Sequence, residues 1–253
     1  MKIGLQLYSV REFCKTEEDL VTTLSRVVSI GYRYVQVSGI VSLPAKVLRK
    51  IFDDSGLTVC STHESYEKII NETSLVAENY HTLGADVVAC PGLPQNLHCA
   101  EGYETAGEQL DAAGKKLSEA GLSLVYHNHA IEFTRYAKKT GYEILLDPEK
   151  REHLGTELDT YWVQFGGADP AQWIEWASGR APLCHFKDMT FKDTQVMVAV
   201  GEGNLNWPRI LDACRKAGTR YALVELDSSP LLPLWESLQI SFERMKEWGL
   251  EVE

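Results

Sequence analysis

Strand-like and helix-like segments alternate eight times along this chain, which predicts a closed (β/α)8 TIM barrel forming one domain over residues 1–253. Two further observations support that fold class. No linker, low-complexity tract or compositional break interrupts the alternation. The main alternative, an open doubly wound sheet, calls for a Gly-rich phosphate fingerprint after an early strand, and the sequence has none there.

The elements follow in order. Residues 2–8 read as the first strand, and 16–30 as a helix stopped at Gly31. Tyr34, Val35 and Val37 mark a second strand over 32–38, a helix over 44–55 ends at Gly56, and the third strand covers 57–63. Ile69, Thr73, Val76, Tyr80 and Leu83 step by four and three, the spacing of one helical face, so 68–83 is predicted as a single helix closed by Gly84. Residues 86–90 form the fourth strand, broken by Pro91-Gly92-Leu93-Pro94. A long helix over 101–120 leads through Gly121 into the fifth strand, and a short helix follows at 140–146. The sixth strand covers 155–159, after which Asp169-Pro170 supplies an N-cap and a first-turn proline. The seventh strand spans 182–187, Asn206-Trp207-Pro208 opens a helix closed by Gly218, the eighth strand spans 221–226, and a last helix covers 233–248.

Composition narrows the function classes. A formal net charge of −11 and a pI near 5.2 oppose a nucleic-acid groove, which relies on clustered Lys and Arg. The amino terminus lacks the long apolar core of a signal peptide, and no segment approaches the roughly 20 apolar residues of a membrane span. Cysteines at 14, 60, 90, 99, 184 and 214 include no Cys-x-x-Cys pair and read as scattered reduced thiols. The expectation is a cytoplasmic protein with no membrane or nucleic-acid partner, its oligomeric state left open, self-association included.

The most informative stretch is Leu122-Ser123-Leu124-Val125-Tyr126-His127-Asn128-His129, followed by Ala130-Ile131-Glu132-Phe133. An apolar strand turns abruptly into two histidines, an asparagine and a glutamate, groups that need partners or a metal when buried. A satisfied core histidine and a loop carboxylate is the plainer reading. In a barrel the active site lies at the carboxyl ends of the strands, and other strand ends offer matching groups. These are Gln6, Gln36, His63-Glu64, Asp159, His185 and Glu225. Asp, His and Glu on three consecutive strands, with His127 or Glu132 from the fifth, suit one divalent ion: Mn, Co, Fe, Zn or, less well, Mg. Separate buried ion pairs would be the non-metal account.

Lys187 lies two residues after His185, on the same strand face, and can polarise a carbonyl or stabilise an oxyanion. A salt bridge to Asp188 or Glu202 is the structural alternative. Gly201-Glu202-Gly203 reads as a turn ahead of a capped helix and makes a weak phosphate cradle. Most tryptophans sit at helix-packing positions; Trp162, three residues past Asp159, is placed to line the pocket.

At this point the chain resembles the sugar phosphate isomerase/epimerase family of xylose isomerase-like barrels, which also includes inosose dehydratases and ketose 3-epimerases. The resemblance is carried by Tyr126-His127-Asn128-His129-x-x-Glu132-Phe133, Leu158-Asp159-Thr160-Tyr161-Trp162, Gly179-Arg180, His185-Phe186-Lys187-Asp188, the run from Gly201 to Trp207, and Glu225-Leu226-Asp227. It implies one divalent metal held by Asp159, His185 and Glu225 with a fourth ligand from strand five, Glu132 favoured and His127 the alternative. Ketose epimerases carry a glutamate directly at the end of strand five. Here Tyr126-His127 stands there, and Gln36 stands where relatives often have glutamate, which resembles the dehydratase and keto-sugar lyase branch more closely.

The expected activity is therefore metal-dependent isomerisation or epimerisation of a small keto-sugar or keto-polyol. The metal would bind the carbonyl and a neighbouring hydroxyl, and a strand-end glutamate or histidine would take the proton between them to give an enediolate. His127, Glu225 and Lys187 are the catalytic candidates; Gln6, His63, His129, Trp162 and Lys187 the substrate-binding ones. Dehydration of a keto-polyol on the same site is the alternative reaction. A non-catalytic sugar-binding barrel is the alternative of another class. A phosphodiesterase on a related barrel would need more histidine ligands and a basic face.

Overall fold

The computed structural model describes residues 1–252. Eight parallel strands close into a barrel in chain order: β1 (Lys2–Gln6), β2 (Tyr34–Val37), β3 (Thr58–His63), β4 (Val87–Cys90), β5 (Ser123–His127), β6 (Leu154–Asp159), β7 (Leu183–Phe186) and β8 (Tyr221–Val224), with β8 pairing back onto β1. The (β/α)8 expectation holds. Helices α1 (Glu17–Ile30) and α2 (Ala45–Ser55) cover the early strands, and α1 starts at a reciprocal capping box between Thr16 and Asp19.

The helix expected over 68–83 is two: α3 (Tyr66–Asn71) and α4 (Thr73–Leu83). Ser65 caps α3, and the chain leaves helical geometry at Glu72 (φ −126°) before α4 runs on to Gly84 in the left-handed conformation (φ 76°). The buried faces of both halves keep the four-and-three spacing, so periodicity alone does not reveal the break. Next come α5 (Ala100–Glu119) and α6 (Gly141–Leu145). An unexpected helix α7 (Thr160–Phe165) follows β6 directly, then α8 (Pro170–Trp176), α9 (Trp207–Ala217) and α10 (Leu234–Glu247). Two small antiparallel hairpins were also not expected: Arg135–Tyr136 with Lys139–Thr140, and Asp188–Lys192 with Thr194–Val198. The first strand is shorter than expected, because Leu7–Phe13 winds into a 3-10 helix.

Most of the apolar core lies between strands and helices, while Cys60, Val87, Ala89, Val125, Leu183 and Leu223 fill the barrel interior. Inward residues nearer the carboxyl ends are polar. Gln6, Gln36, Ser61, Glu157, Asp159 and His185 are all shut off from solvent, so each must find a partner within the barrel. Among the described residues no helix is long and apolar enough to cross a membrane.

Candidate active site and metal centre

Strand register decides which of these polar groups meet. In the ladder Asp159 lies beside His185, and His127 beside Glu157. Side chains two apart on a strand share a face, so Glu157 and Asp159 enter the barrel one above the other. Glu225 follows β8 directly and its backbone N–H bonds to Phe186 O at 3.3 Å, holding it level with the end of β7.

The result is one histidine-centred cluster. His185 Nδ1 donates to Glu225 Oε2 (3.0 Å) and lies 3.9 Å from Asp159 Oδ2. On the other side of the ring, Nε2 donates to Gln36 Oε1 (2.6 Å) and lies 3.2 Å from Glu157 Oε1. Glu157 also accepts from Gln36 Nε2 (2.6 Å) and His63 Nε2 (2.9 Å). His127, Asp159, His185 and Glu225 each offer a ligand atom within 4.8 Å of the others, and His63, His127, Glu157 and His185 do the same one layer away.

Lys187 is buried beside this cluster. Its ammonium donates to Asp227 Oδ2 (2.6 Å) and Glu225 Oε2 (3.2 Å) and lies 3.6 Å from Asp159 Oδ2. The sequence alternatives of Asp188 or Glu202 as its ion-pair partner do not hold, because β7 alternation sends Lys187 inward. Arg244, in helix α10, takes Glu202 at 2.8 Å.

Electrostatics follow from burial and these neighbours. Burial pulls the His185 imidazole down, but Glu157 and Glu225 outweigh it and hold it well above the ordinary value. Burial works against charge on Lys187 too, and its three carboxylates again prevail and raise it. Burial would raise Glu225 and Glu157; Lys187 and His185 hold Glu225 far down, and His185 and His63 do the same for Glu157. Asp159 goes the other way. Burial and the negative Glu225 push it up to about 7, against the pull of Lys187 and His185. Burial, with His185 next, drives His127 well below the usual imidazole value, and burial lowers His129 as well.

A divalent cation fits this set on the observation of two stranded atoms. Asp159 Oδ2 and His127 Nδ1 are buried and make no hydrogen bond among the described residues, Asp159 Oδ2 having only the Lys187 ammonium at 3.6 Å and His185 at 3.9 Å, and His127 Nδ1 only Glu157 at 3.8 Å. The donors are two imidazoles and two carboxylates, a set that suits Zn, Mn, Fe or Co. His185 is already oriented as a ligand should be, with one ring nitrogen toward Asp159 and Glu225 and the other held by an acceptor.

Other predicted residues lie at different depths. Glu132, expected as the favoured strand-five ligand, is not in either cluster. It sits in a 3-10 turn (Ile131–Phe133) that folds it back, where Tyr126 Oη donates to Oε1 (2.7 Å) and the His129 N–H donates to Oε2 (2.8 Å). His127, the alternative, takes the place in the cluster. Gln6, expected at the substrate, is fully buried; it donates to Gln36 (2.7 Å), its partner in the strand ladder, and accepts from the Tyr8 N–H (3.2 Å), so it braces the network from the side. His63 keeps slight exposure beside Glu157. His129 and Trp162 are half-buried at the mouth with ring centroids 5.4 Å apart, and the Lys187 ammonium lies 5.2 Å from the Trp162 ring.

Glu157 and Asp227 were not singled out from sequence. Glu157 carries a legible signal, since it precedes Asp159 by two residues on one strand and must share its face.

A (β/α)8 barrel whose carboxyl-end mouth gathers buried imidazoles, carboxylates and one lysine defines the class: a barrel built to hold a polar centre, with chemistry at its strand ends. The chain belongs to the xylose isomerase-like TIM barrel family, whose pattern it matches over residues 24–248. Its fold is similar to a sugar phosphate isomerase/epimerase from Parabacteroides distasonis ATCC 8503 (24% identity, TM-score 0.82, covering 97% of this chain and 93% of that one). It is also similar to the probable 3-DHS dehydratase AsbF from Bacillus anthracis (14%, 0.72, 97% and 99%). A third similar structure is the IolI protein with a bound zinc atom (16%, 0.73, 98% and 97%). No curated protein matches the chain in sequence.

Proposed function

We propose that this chain is a metal-dependent enzyme of the isomerase and epimerase type, acting on a small keto-sugar or keto-polyol by proton transfer beside the carbonyl. Its main support is the convergence of His127, Asp159, His185 and Glu225 at the mouth, with an unpartnered atom on Asp159 and on His127. A divalent ion bound to these four would polarise the substrate carbonyl and acidify the neighbouring C–H.

The residues around it divide the remaining work. Glu225 stays ionised and can receive the proton as general base. Lys187 stays cationic, so it serves as the donor to the enediolate oxygen and not as a base. His127 and Glu225 both belong to the ligand set, but His185 and Lys187 meet Glu225 at Oε2 alone, so its other oxygen would act as the base, with the neutral His129 facing the mouth as the second acid–base group. Trp162 offers an apolar wall for a sugar face, and His63 borders the pocket from β3.

A second reading, elimination of a β-hydroxyl from the same enediolate, is favoured by one observation. The glutamate that a symmetrical epimerase needs opposite Glu225 is not available, because both Glu132 oxygens are taken by Tyr126 and the His129 N–H. An imidazole opposite a carboxylate suits loss of a hydroxyl: His129, neutral at the start, would take the proton from carbon and return it to the departing hydroxyl, which leaves as water.

Elemental analysis of the purified protein and of Asp159→Ala tests the first half: about one equivalent of metal in the former and none in a folded latter is expected. Incubation with ketoses or inosose in deuterated water tests the second. Bound metal without any deuterium entering a ketose would leave a sugar-binding barrel, and equal metal in both proteins would remove the centre altogether. Enone or diketone formation in place of a C3 epimer selects elimination.

A further inference from the structure

The ladder between β6 and β7 stops at the centre. Its last paired residues are Asp159 and His185; at Thr160 the chain turns into α7, and Lys187 lies just past the end of β7. A buried N–H at such a place needs an acceptor from outside the ladder. Thr160 supplies it. Its side chain is fully buried, and Oγ1 accepts the Lys187 N–H (3.0 Å) while its own proton is shared between Lys187 O (2.9 Å) and His185 O (3.1 Å). One hydroxyl thus grips the seventh strand on both sides of Phe186, and it belongs to the residue directly after Asp159. The β-branched side chain has few rotamers open to it, so the grip is stiff.

Neighbouring strand ends repeat the device. The β5–β6 pairing runs as far as His127 and Glu157, and the next residue, Asn128, is fully buried with Oδ1 accepting the Asp159 N–H (3.0 Å). After β8, Ser9 Oγ accepts the N–H of Leu226 (3.0 Å), the residue between Glu225 and Asp227. Asp159 is therefore held from both sides, and every tie falls beside a group of the centre.

We infer that Thr160 is a positioning residue: its hydroxyl sets His185 and Lys187 against Asp159 before any ion or substrate arrives. This deepens the proposed function, on whose metal centre the first test rests and the second does not. In the first, the protein competes with a chromophoric chelator for zinc. Thr160→Val keeps the shape without the hydroxyl and should bind zinc about 10–100-fold more weakly, as when a ligand loses an outer partner. Thr160→Ser restores the hydroxyl and should return to within about threefold of the unaltered protein. A merely structural threonine would lower the melting temperature in chelator and leave zinc affinity alone. Unchanged affinity in Thr160→Val, or equal weakness in both variants, overturns the inference. In the second test, amide hydrogen exchange is followed on metal-free protein. The Lys187 N–H should exchange slowly in the unaltered protein and in Thr160→Ser, and at least about ten-fold faster in Thr160→Val, with the amides of β2 and β3 unmoved. A freely exchanging Lys187 amide in the unaltered protein would also refute the inference. If the unaltered protein takes up no zinc, the proposed centre falls and this amide alone decides. Should Thr160→Val not fold, Thr160→Ala, which leaves room for a water beside the stranded N–H, is held to the same outcomes.

Discussion

Replacing Glu157 with glutamine separates the orienting shell of the centre from its ligands. Glu157 is fully buried and lies outside the four-residue ligand set: it accepts from Gln36 at 2.6 Å and His63 at 2.9 Å and lies 3.2 Å from the Nε2 of His185 and 3.8 Å from the Nδ1 of His127. Glutamine preserves the shape but turns one acceptor oxygen into an NH2 group, which cannot receive an imidazole proton. His185 keeps the Gln36 acceptor at Nε2 but loses the neighbouring carboxylate, 3.2 Å away, that reinforces the ring's orientation while Nδ1 faces Asp159 and Glu225. Loss of such an outer partner weakens metal affinity about 10–100-fold in general, or about 1.4–2.7 kcal/mol at 1.36 kcal/mol per factor of ten. The folding cost should stay below the roughly 3–5 kcal/mol of a broken buried pair, because His185 keeps Glu225 at 3.0 Å. Competition of the protein with a chromophoric chelator gives the affinity, and melting in excess chelator gives the folding cost without metal. A Glu157→Gln variant with unchanged metal affinity would refute the orienting role, whatever its melting temperature.

Glu132→Gln should keep metal affinity within about threefold, since among the described residues Tyr126 and the His129 N–H hold that carboxylate away from both clusters, and loss of metal in the same titration would restore it as a ligand. Lys187→Met should retain metal but slow deuterium exchange into substrate by about 100–1,000-fold, the usual cost of one oxyanion donor; an unchanged rate would leave Lys187 a structural cation. Because the Glu157 carboxyl is held below its ordinary value, its contribution is fully present above the unfolded-state value and is lost as pH falls through the folded one. The acid limb of a stability–pH curve in chelator should therefore be shallower for Glu157→Gln than for the unaltered protein, and superimposable curves would contradict this.

The barrel was legible because eight strand–helix alternations are a long-range regularity that local errors do not disturb. Asp159, His185 and Glu225 were legible for a related reason: reading the last inward polar residue of each strand finds one layer of a barrel. That rule also hides the layer below, and Glu157 was passed over although period-two alternation places it under Asp159. Glu132 was given the wrong neighbours because proximity in sequence to a histidine pair does not reveal a 3-10 turn that folds the carboxylate back onto Tyr126. The hairpin tips at Ala137 (φ 56°) and Asp193 (φ 62°) use left-handed backbone without glycine, so the ordinary turn signal is missing. Asp188 was weighed only as one of two ion-pair partners for Lys187, and only the return of the chain at Gly201–Leu205 reveals what it organises.

The carboxylate of Asp159 has two ends with different tasks. Its Oδ2 faces His185 and Lys187, while Oδ1 accepts the Trp162 N–H at 2.8 Å and so caps α7 at its first turn. The indole of Trp162 rides on that same turn, 5.2 Å from the Lys187 ammonium. Any cation that draws on Oδ2 thereby tugs on the element carrying an aromatic chromophore and alters the charge beside it. The chain thus holds its own optical gauge of occupancy: the emission of one tryptophan, isolated by replacing the other five with phenylalanine, would follow the filling of the centre without an added dye.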